Sequence, residues 1–470
     1  MARHMPNGRL RILIADAGWT GNALAEAVNA VGREAGVPLR YDRSSVAHWL
    51  SGTRPAAHVR AFVAEALSRR LGRTVSVADT GLDDCAAAAG MEQTSAANRS
   101  AHAAAQLVAL ADAGRTRRQS LRGIAFELAA SRMPAFATLI AAPVAPVAIS
   151  TAGASVTSGA RPTPGSTMSV GSAQVEEAHL MLSVFCDADT AFGGGGARRA
   201  VCTYLAHDVT PWLRAEVRPR VRRQVLSVAS KLSYLAGYMC FDEQLSGAAQ
   251  SYYRVAADLS AEAADPAGYA TALRGMSLQA HTLGHRTEAL HLAETAATAS
   301  GSVPAGQAAF LAGQVAVAAA AAGDRQTALS HLSAAERFLH RADGPDEQIG
   351  SYHESALAYQ QAEMLMALGD TEGAVRALGV ALRLRPAGER RARALIVARL
   401  AELHLRQGRL EQACAIWRLF CDDYPHLHSA RADNALRSLR ALLRPYARNG
   451  AARAILERVA DLAPPGRTRR

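Results

Sequence analysis

Apolar residues recur at helical spacing through most of the chain, beginning near the amino end. The pattern over residues 9–17 predicts a short amphipathic helix, which Gly18 ends. Thr20 is placed to cap a second helix, because its hydroxyl can accept a hydrogen bond from a first-turn backbone N–H. The apolar positions of the second helix are Leu24, Ala25 and Val28. This end of the chain therefore predicts a small helical domain.

A third predicted helix has one apolar face. Asp42 or Ser44 is placed to cap its first turn. Gly52 ends it, and Pro55 then opens a fourth helix. The apolar positions of the third helix, spaced i, i+3 and i+4, are Val46, Trp49 and Leu50. That spacing places one face of the helix against the rest of the domain.

The opposite face of the third helix carries small, polar and basic side chains. A short helix of this kind fits the major groove of DNA, where its N-terminal side chains reach base edges. Flanking arginines, Arg60 among them, are placed to hold phosphates. The candidate DNA-binding residues are Arg40, Arg43, Ser44, Ser45, Ala47, His48, Ser51 and Arg54.

A second pattern recurs through the C-terminal half, in which an alanine follows a glycine by five positions. The clear copies begin at Gly284, Gly323, Gly369 and Gly408. An earlier, relaxed copy has Glu243 where the glycine would be, followed by Ala248. A small residue also lies twelve positions before each alanine, which predicts two closely packed helices joined by a tight turn. These small residues are Ala236, Ser277, Ala316, Ala362 and Ala401.

Residues 224–425 resemble an array of tetratricopeptide repeats, whose unit of about 34 residues is also a helix pair. The resemblance implies a solenoid with a concave groove lined by the first helix of each pair, and such grooves bind peptides or proteins. The alternative is an irregular helical array of no named type. Residues 224–425 hold none of the asparagines that often grip a peptide backbone in such grooves. The candidate groove residues are instead Gln279, Gln314, Tyr359 and Gln360.

The run from Ser44 to Pro55 resembles the recognition helix of Cro and phage-repressor helix-turn-helix domains, which ends in a similar aromatic residue, glycine and proline. Here the segment before that helix, Asn29 to Tyr41, is longer than the tight turn of the family. The resemblance implies a DNA-binding domain, and the longer segment bears on its docking geometry.

Two further blocks resemble a group of actinobacterial regulators. They are Asp187 to Arg198, with Tyr204-Leu205 after it, and Leu235 to Asp242. That group joins a repressor-like N-terminal domain to tetratricopeptide-like repeats, and some members restrain sporulation and antibiotic production. The resemblance implies a regulatory role.

Composition adds three constraints. The net charge is +11, and Lys231 is the one lysine among 52 basic residues. A GC-rich genome explains that bias, yet arginine forks suit phosphates and guanine edges in either case. The six cysteines form no CxxC pair, which indicates a reducing compartment rather than a disulfide frame or a zinc site. No apolar run reaches the length of a membrane span, so we expect a cytoplasmic protein without membrane contact.

Composition also divides the chain into zones. Residues 1–82 form the predicted helix-turn-helix domain and residues 83–142 a helical connector. Residues 143–172 are rich in Pro, Gly, Ser and Thr and are predicted to be a disordered linker. Residues 173–463 form the predicted repeat domain, and residues 464–470 a basic tail. The predicted fold class is therefore all-α, with a small helix-turn-helix domain, a flexible linker and an α-solenoid.

The sequence holds no constellation that indicates catalysis. The glycines at 193–196 lack the GxxxxGK[ST] pattern of a phosphate loop, so a helix–helix turn is the favoured interpretation. His281 and His285 are helix-spaced but lack further metal ligands nearby. We expect no enzyme activity, no metal site and no cofactor.

These observations together predict a DNA-binding transcription regulator of development or secondary metabolism. We expect a homodimer on double-stranded DNA, whose repeat domain mediates self-association or senses a peptide or protein partner. The alternative is a tetratricopeptide-type interaction scaffold whose N-terminal domain does not bind DNA.

Overall fold

A computed structural model describes residues 5–83, 96–116, 121–141, 170–298, 303–342 and 352–462. Of these residues 79% are helical, and no strand occurs among them. The all-α prediction is therefore confirmed. The predicted basic tail and residues 143–169 of the predicted linker lie outside the described ranges. The last residues of that linker are ordered, since Val170 is buried and Ser172 begins a helix.

Four helices form the N-terminal domain. They are α1 (Gly8–Asp16), α2 (Gly21–Glu34), α3 (Arg43–Leu50) and α4 (Ala57–Leu71). Gly18, at a φ of 63°, turns the chain after α1, and the Thr20 side chain accepts from the Ala23 amide at 3.2 Å to cap α2. A core shared by all four helices holds Leu10, Leu24, Val28, Val46, Trp49, Phe62 and Leu67.

The segment between α2 and α3 is long but held in place. The Asn29 amide nitrogen donates to the Tyr41 carbonyl at 2.8 Å, and its amide oxygen accepts from the Tyr41 N–H at 2.9 Å. The Tyr41 ring packs edge-on against Trp49, with ring centroids 5.1 Å apart. These contacts fix the start of α3 despite the length of the segment before it.

A second, larger unit is a series of helix pairs. In the described part of the chain the first helices of these pairs are α10 (Pro219–Asp242), α12 (Pro266–Thr282), α14 (Ala305–Ala322), α16 (Glu354–Ala367), α18 (Arg390–Arg406) and α20 (Ala430–Leu443). Their partners are α11 (Ser246–Glu262), α13 (Arg286–Ala297), α15 (Arg325–His340), α17 (Thr371–Leu384), α19 (Leu410–Asp423) and α21 (Gly450–Leu462). The predicted helix pairing is confirmed, and the array continues one pair beyond residue 425.

The small residues of the repeat pattern lie where paired helices cross. Ala316, Ala362 and Ala401 are fully buried, as are the alanines that follow the turns. In the second pair the Ser277 hydroxyl donates across the crossing to the Ala289 carbonyl at 2.7 Å. A larger side chain at such a position would force the paired helices apart.

The first copy of the repeat is shifted by one residue from the predicted alignment. Gln244, and not Glu243, occupies the left-handed turn position, with a φ of 58°. The crossing is then made by Gly237 and Ala249, because a Cβ on Gly237 would meet the Tyr253 ring at 2.8 Å. The pattern missed this alignment because it required a glycine at the turn.

Replacing Ala316 by leucine is expected to lower the free energy of unfolding by about 1–3 kcal/mol, because the crossing has no room for the added atoms. Ala322→Leu, at the exposed end of the same helix, is the matched control and is expected to change stability little. Chemical denaturation followed by circular dichroism measures both. Equal stability of the two variants would contradict the packing described above.

Helices outside the pairs complete the larger unit. They are α5 (Ala96–Thr116), α6 (Phe136–Ala141), α7 (Ser172–Phe192), α8 (Gly194–Tyr204) and α9 (Thr210–Arg214). The predicted connector helix α5 buries Ala103, Ala104 and Leu107 in the same core as the first repeat pairs. Part of the predicted connector therefore belongs to the repeat unit itself.

The array closes on itself through the start of α8. The Gly194 N–H donates to the Asp242 carboxylate at 3.0 Å, and Asp242 also accepts from the Ser429 hydroxyl at 2.9 Å. The Gly195 N–H donates to the His428 carbonyl at 2.8 Å. These bonds join the end of α10, in the first pair, to the start of α20, in the last pair. We call this junction the seam.

Three of the four glycines at 193–196, namely Gly193, Gly194 and Gly195, have a packing role at the seam. A Cβ on Gly194 would lie 2.5 Å from the Met239 carbonyl oxygen, and one on Gly193 would lie 2.9 Å from the His428 carbonyl oxygen. The expected helix–helix turn is present. Glycine is needed at positions 193–195 because backbones from three parts of the chain approach one another there.

Segment 121–141 lies between the two units and contacts both. Ala125 packs on the N-terminal core, and the Gln250 side chain exchanges hydrogen bonds with the Glu127 backbone at 2.8 and 3.0 Å. The Phe126 ring stacks on His285, with centroids 5.5 Å apart. His285 Nε2 in turn lies 2.6 Å from Glu65 Oε1 on α4, and both side chains are buried. The two units are thus joined by a buried contact.

Helix Ala305–Ala322 is long and apolar enough to cross a membrane by length and composition. In the fold, 78% of that window is buried among neighbouring helices. This is the arrangement of a core helix in a soluble protein.

Candidate functional site

The outer face of α3 is open to solvent with the rest of the described chain in place. Val46 and Trp49 are 0% and 3% exposed, so the apolar side of the helix packs inward as predicted. Ser45 and Leu50 are partly buried. The remaining predicted contact residues are exposed, and these are Arg40, Arg43, Ser44, Ala47, His48, Ser51 and Arg54.

Asp42 caps α3 and occupies the hydroxyl groups of its first turn. One carboxylate oxygen accepts from the Ser45 N–H at 2.9 Å and from the Ser44 and Ser45 hydroxyls at 2.7 and 2.8 Å. These bonds, led by the one from Ser44, lower the pKa of Asp42 to about 2. The Ser51 hydroxyl donates to the His48 carbonyl at 2.8 Å. Because the hydroxyl groups of Ser44, Ser45 and Ser51 already donate within the protein, they remain available to a ligand mainly as hydrogen-bond acceptors.

Arginine and histidine side chains supply the hydrogen-bond donors of this face. Within the described ranges Arg40 and Arg43 form no ion pair. Arg60 is held, because its Nε donates to the Pro55 carbonyl at 2.8 Å. Arg43, Ala47 and His48 are exposed along the outer face of α3 itself. That set combines a bidentate donor, an apolar contact for a thymine methyl and an imidazole.

A second candidate site is a central cavity of about 1390 Å³ in the repeat unit. Its wall is formed by the first helix of every pair together with α7, as the tetratricopeptide resemblance predicted for a concave surface. Gln314, Tyr359 and Gln360 line it. Gln279 does not, because it lies on the side of α12 that faces α11, where its amide donates to the Ser246 carbonyl at 2.6 Å.

The charged residues of the cavity are the ones that the sequence pattern missed. Asp189 on α7 pairs with Arg391 on α18 at 2.9 Å, and burial raises the pKa of Asp189 to about 6 while Arg391 opposes the shift. Arg385 pairs with Glu389 at 2.6 Å. The Arg274 guanidinium lies over the Phe310 ring at 3.5 Å. No shared sequence pattern marks these residues, because α7, α12, α18 and the turn before α18 come together only in the folded array.

No cluster of three or more potential metal ligands occurs in the described ranges. His281 and His285, the pair noted from spacing, have separate surroundings. His281 lines the cavity, where burial lowers its pKa, and His285 contacts Glu65.

Residues 10–83 match the family model of the SP15 N-terminal domain. The match spans α1 to α4 and the turns that follow, and none of the repeat unit. No curated protein matches the chain. The similarity therefore concerns the four-helix domain alone.

Proposed function

We propose that the protein is a cytoplasmic transcription regulator that binds double-stranded DNA through α3 as a homodimer. The observation that carries the proposal is the outer face of α3. It is a capped, arginine-flanked helix anchored by Val46 and Trp49, and it stays exposed although the domain is packed against the repeat unit. Helices that read DNA combine these same features. The resemblance to Cro-type domains and to the actinobacterial regulators supports the same conclusion.

The repeat unit is proposed to sense a partner or mediate self-association. The cavity lies in the repeat unit, and His285 of that unit contacts Glu65 of the N-terminal domain. A ligand in the cavity can therefore act on the DNA-binding domain through packed side chains. The proposed mechanism is a population shift, in which a bound partner favours one arrangement of the two α3 helices in the dimer.

The test uses the full-length protein and duplexes that it selects from a randomised pool. Arg43→Ala is expected to weaken binding to the selected duplex about tenfold or more, because a lost bidentate base contact costs about 1–3 kcal/mol. Arg325→Ala removes one equally exposed charge from α15 and is the matched control. Gel-shift titrations at several salt concentrations measure both variants, and retardation by the parent protein is expected to weaken steeply with salt.

An interaction scaffold gives a different outcome in this experiment. The selection then enriches no sequence, and Arg43→Ala and Arg325→Ala behave alike. Either result would refute DNA recognition by α3.

A further inference from the structure

We propose that the central cavity binds a small organic anion, with a carboxylate or phosphate group held near Arg274 and Lys231 beside an apolar or aromatic body. This proposal rests on the proposed function for its regulatory meaning, since the anion would be the signal that the repeat unit senses. Binding itself is independent of DNA.

The shape of the cavity favours a small molecule over a long peptide. An open solenoid leaves a groove along which a chain can lie. Here α7 crosses the inner face, and the seam bonds from Gly194 and Gly195 join the first pair to the last. The resulting chamber of about 1390 Å³ is somewhat larger than the pockets of roughly 300–1,000 Å³ that enclose drug-sized ligands.

The cavity holds cationic groups that no described carboxylate neutralises. Arg274 is 8% exposed and has no acidic group within ion-pair distance in the described part of the chain. Lys231, on the adjacent helix α10, also lines the cavity without an acidic partner among those residues. By contrast Arg385, Arg391 and Arg399 each pair with a carboxylate. A buried cation is costly unless it is paired, so Arg274 is the place where an anionic ligand gains most.

The unpartnered hydrogen-bonding groups of the cavity wall also favour an anion, because they include N–H donors. Among the described residues, buried N–H groups without an acceptor on this wall include Arg274 Nε, Gln360 Nε2 and Arg385 Nε. The Gln360 amide is oriented by Tyr352, whose hydroxyl donates to its oxygen and leaves the NH₂ group unused. Buried N–H donors normally have a hydrogen-bond acceptor, so a ligand that supplies acceptor atoms here would complete these bonds. Carboxylate and phosphate oxygens supply several acceptors at once.

Aromatic side chains surround the same corner. Phe310 lies under the Arg274 guanidinium and packs against Tyr352, with ring centroids 5.4 Å apart. Gly313 leaves room for the Gln360 amide here, since a Cβ at that position would overlap the amide oxygen. The other aromatic residues that line the cavity are Tyr234, Tyr238 and Tyr359. An apolar or planar body next to the acidic group matches this wall.

The test compares two fluorescent probes that share one ring system, with the full-length protein and no DNA present. Anilinonaphthalene sulfonate carries an anionic group, and N-phenylnaphthylamine is its neutral analogue. The sulfonate is expected to bind at one site per chain, at least about tenfold more tightly than the neutral probe. Arg274→Gln and Lys231→Gln are each expected to weaken sulfonate binding about tenfold and to leave the neutral probe unchanged. Arg325→Gln is the matched control.

Circular dichroism and melting curves show whether each variant stays folded. Because Lys231 is only partly buried, we expect Lys231→Gln to fold. That variant therefore still tests the proposal if Arg274→Gln unfolds. Displacement of the sulfonate by benzoate or by phenyl phosphate identifies the preferred acidic group, while benzyl alcohol is expected to have no effect. Equal affinity for the two probes, insensitivity of folded variants, or displacement by neither anion would overturn the proposal. A protein that binds the probe but selects no DNA refutes the proposed function alone.

Discussion

Asp189→Ala is expected to lower the free energy of unfolding by about 3–5 kcal/mol, because it leaves a buried guanidinium without its counter-ion. Arg391 is 7% exposed, and its nitrogen Nη1 lies 2.9 Å from the Asp189 carboxylate. The pKa of Asp189 is raised by burial to about 6, so the carboxylate is still ionised at pH 7. The pair ties α7 to α18, and its loss is expected to loosen the closure of the array.

Denaturant titration at pH 7 measures this effect, and Asp187→Ala is the matched control. Asp187 lies two residues away on the same helix and is exposed, so its removal is expected to change stability by no more than about 0.5 kcal/mol. The double variant Asp189→Leu with Arg391→Met is expected to regain most of the loss, because an apolar pair of similar volume avoids the desolvation cost. A single variant as stable as the control would show that the ion pair is not formed.

His285→Ala is the second substitution with a large expected effect, about 3 kcal/mol. It removes the ring that stacks on Phe126 and the partner 2.6 Å from the Glu65 carboxylate. Glu65 keeps Arg69 at 2.8 Å, but its other carboxylate oxygen is already buried without a hydrogen-bond partner in the described part of the chain. The cost combines a cavity with a carboxylate that is less well compensated.

Amide hydrogen exchange measures the loss of stability in His285→Ala and shows in which part of the chain it occurs. His285→Ala is expected to speed amide exchange in α4 and in segment 121–141, where the two units meet, before the rest of the repeat unit responds. His291→Ala, an exposed histidine on α13, is the matched control. Uniform exchange changes over the whole chain would contradict a local junction.

The features that sequence predicted well are those set by local spacing. The inward face of α3 followed from the positions of Val46, Trp49 and Leu50. The predicted cap was Asp42 or Ser44, and Asp42 is the residue that caps the helix. Helix pairs followed from recurring small residues, because a close crossing requires them wherever it occurs. The turn of the first copy departs from the glycine pattern, because Gln244 adopts the left-handed conformation there, and this copy therefore lies one residue beyond its predicted alignment.

The features that sequence could not predict depend on contacts between distant segments. Gly194 is glycine because of Met239, and Asp189 is acidic because of Arg391 far along the chain. The cavity arises only when the array closes, so Arg274 has no local signature as a binding residue. Gln279 was predicted to line the groove but faces α11, since residue type alone does not indicate the side of a helix on which a residue lies.

The seam has a consequence for how this architecture varies during evolution. Open repeat proteins gain or lose whole units readily, because each unit contacts only its neighbours. Here Asp242 at one end of the array must reach Ser429 at the other. Duplication or deletion of one helix pair would separate these partners. Homologous chains are therefore expected to differ in loop lengths while keeping a constant number of pairs.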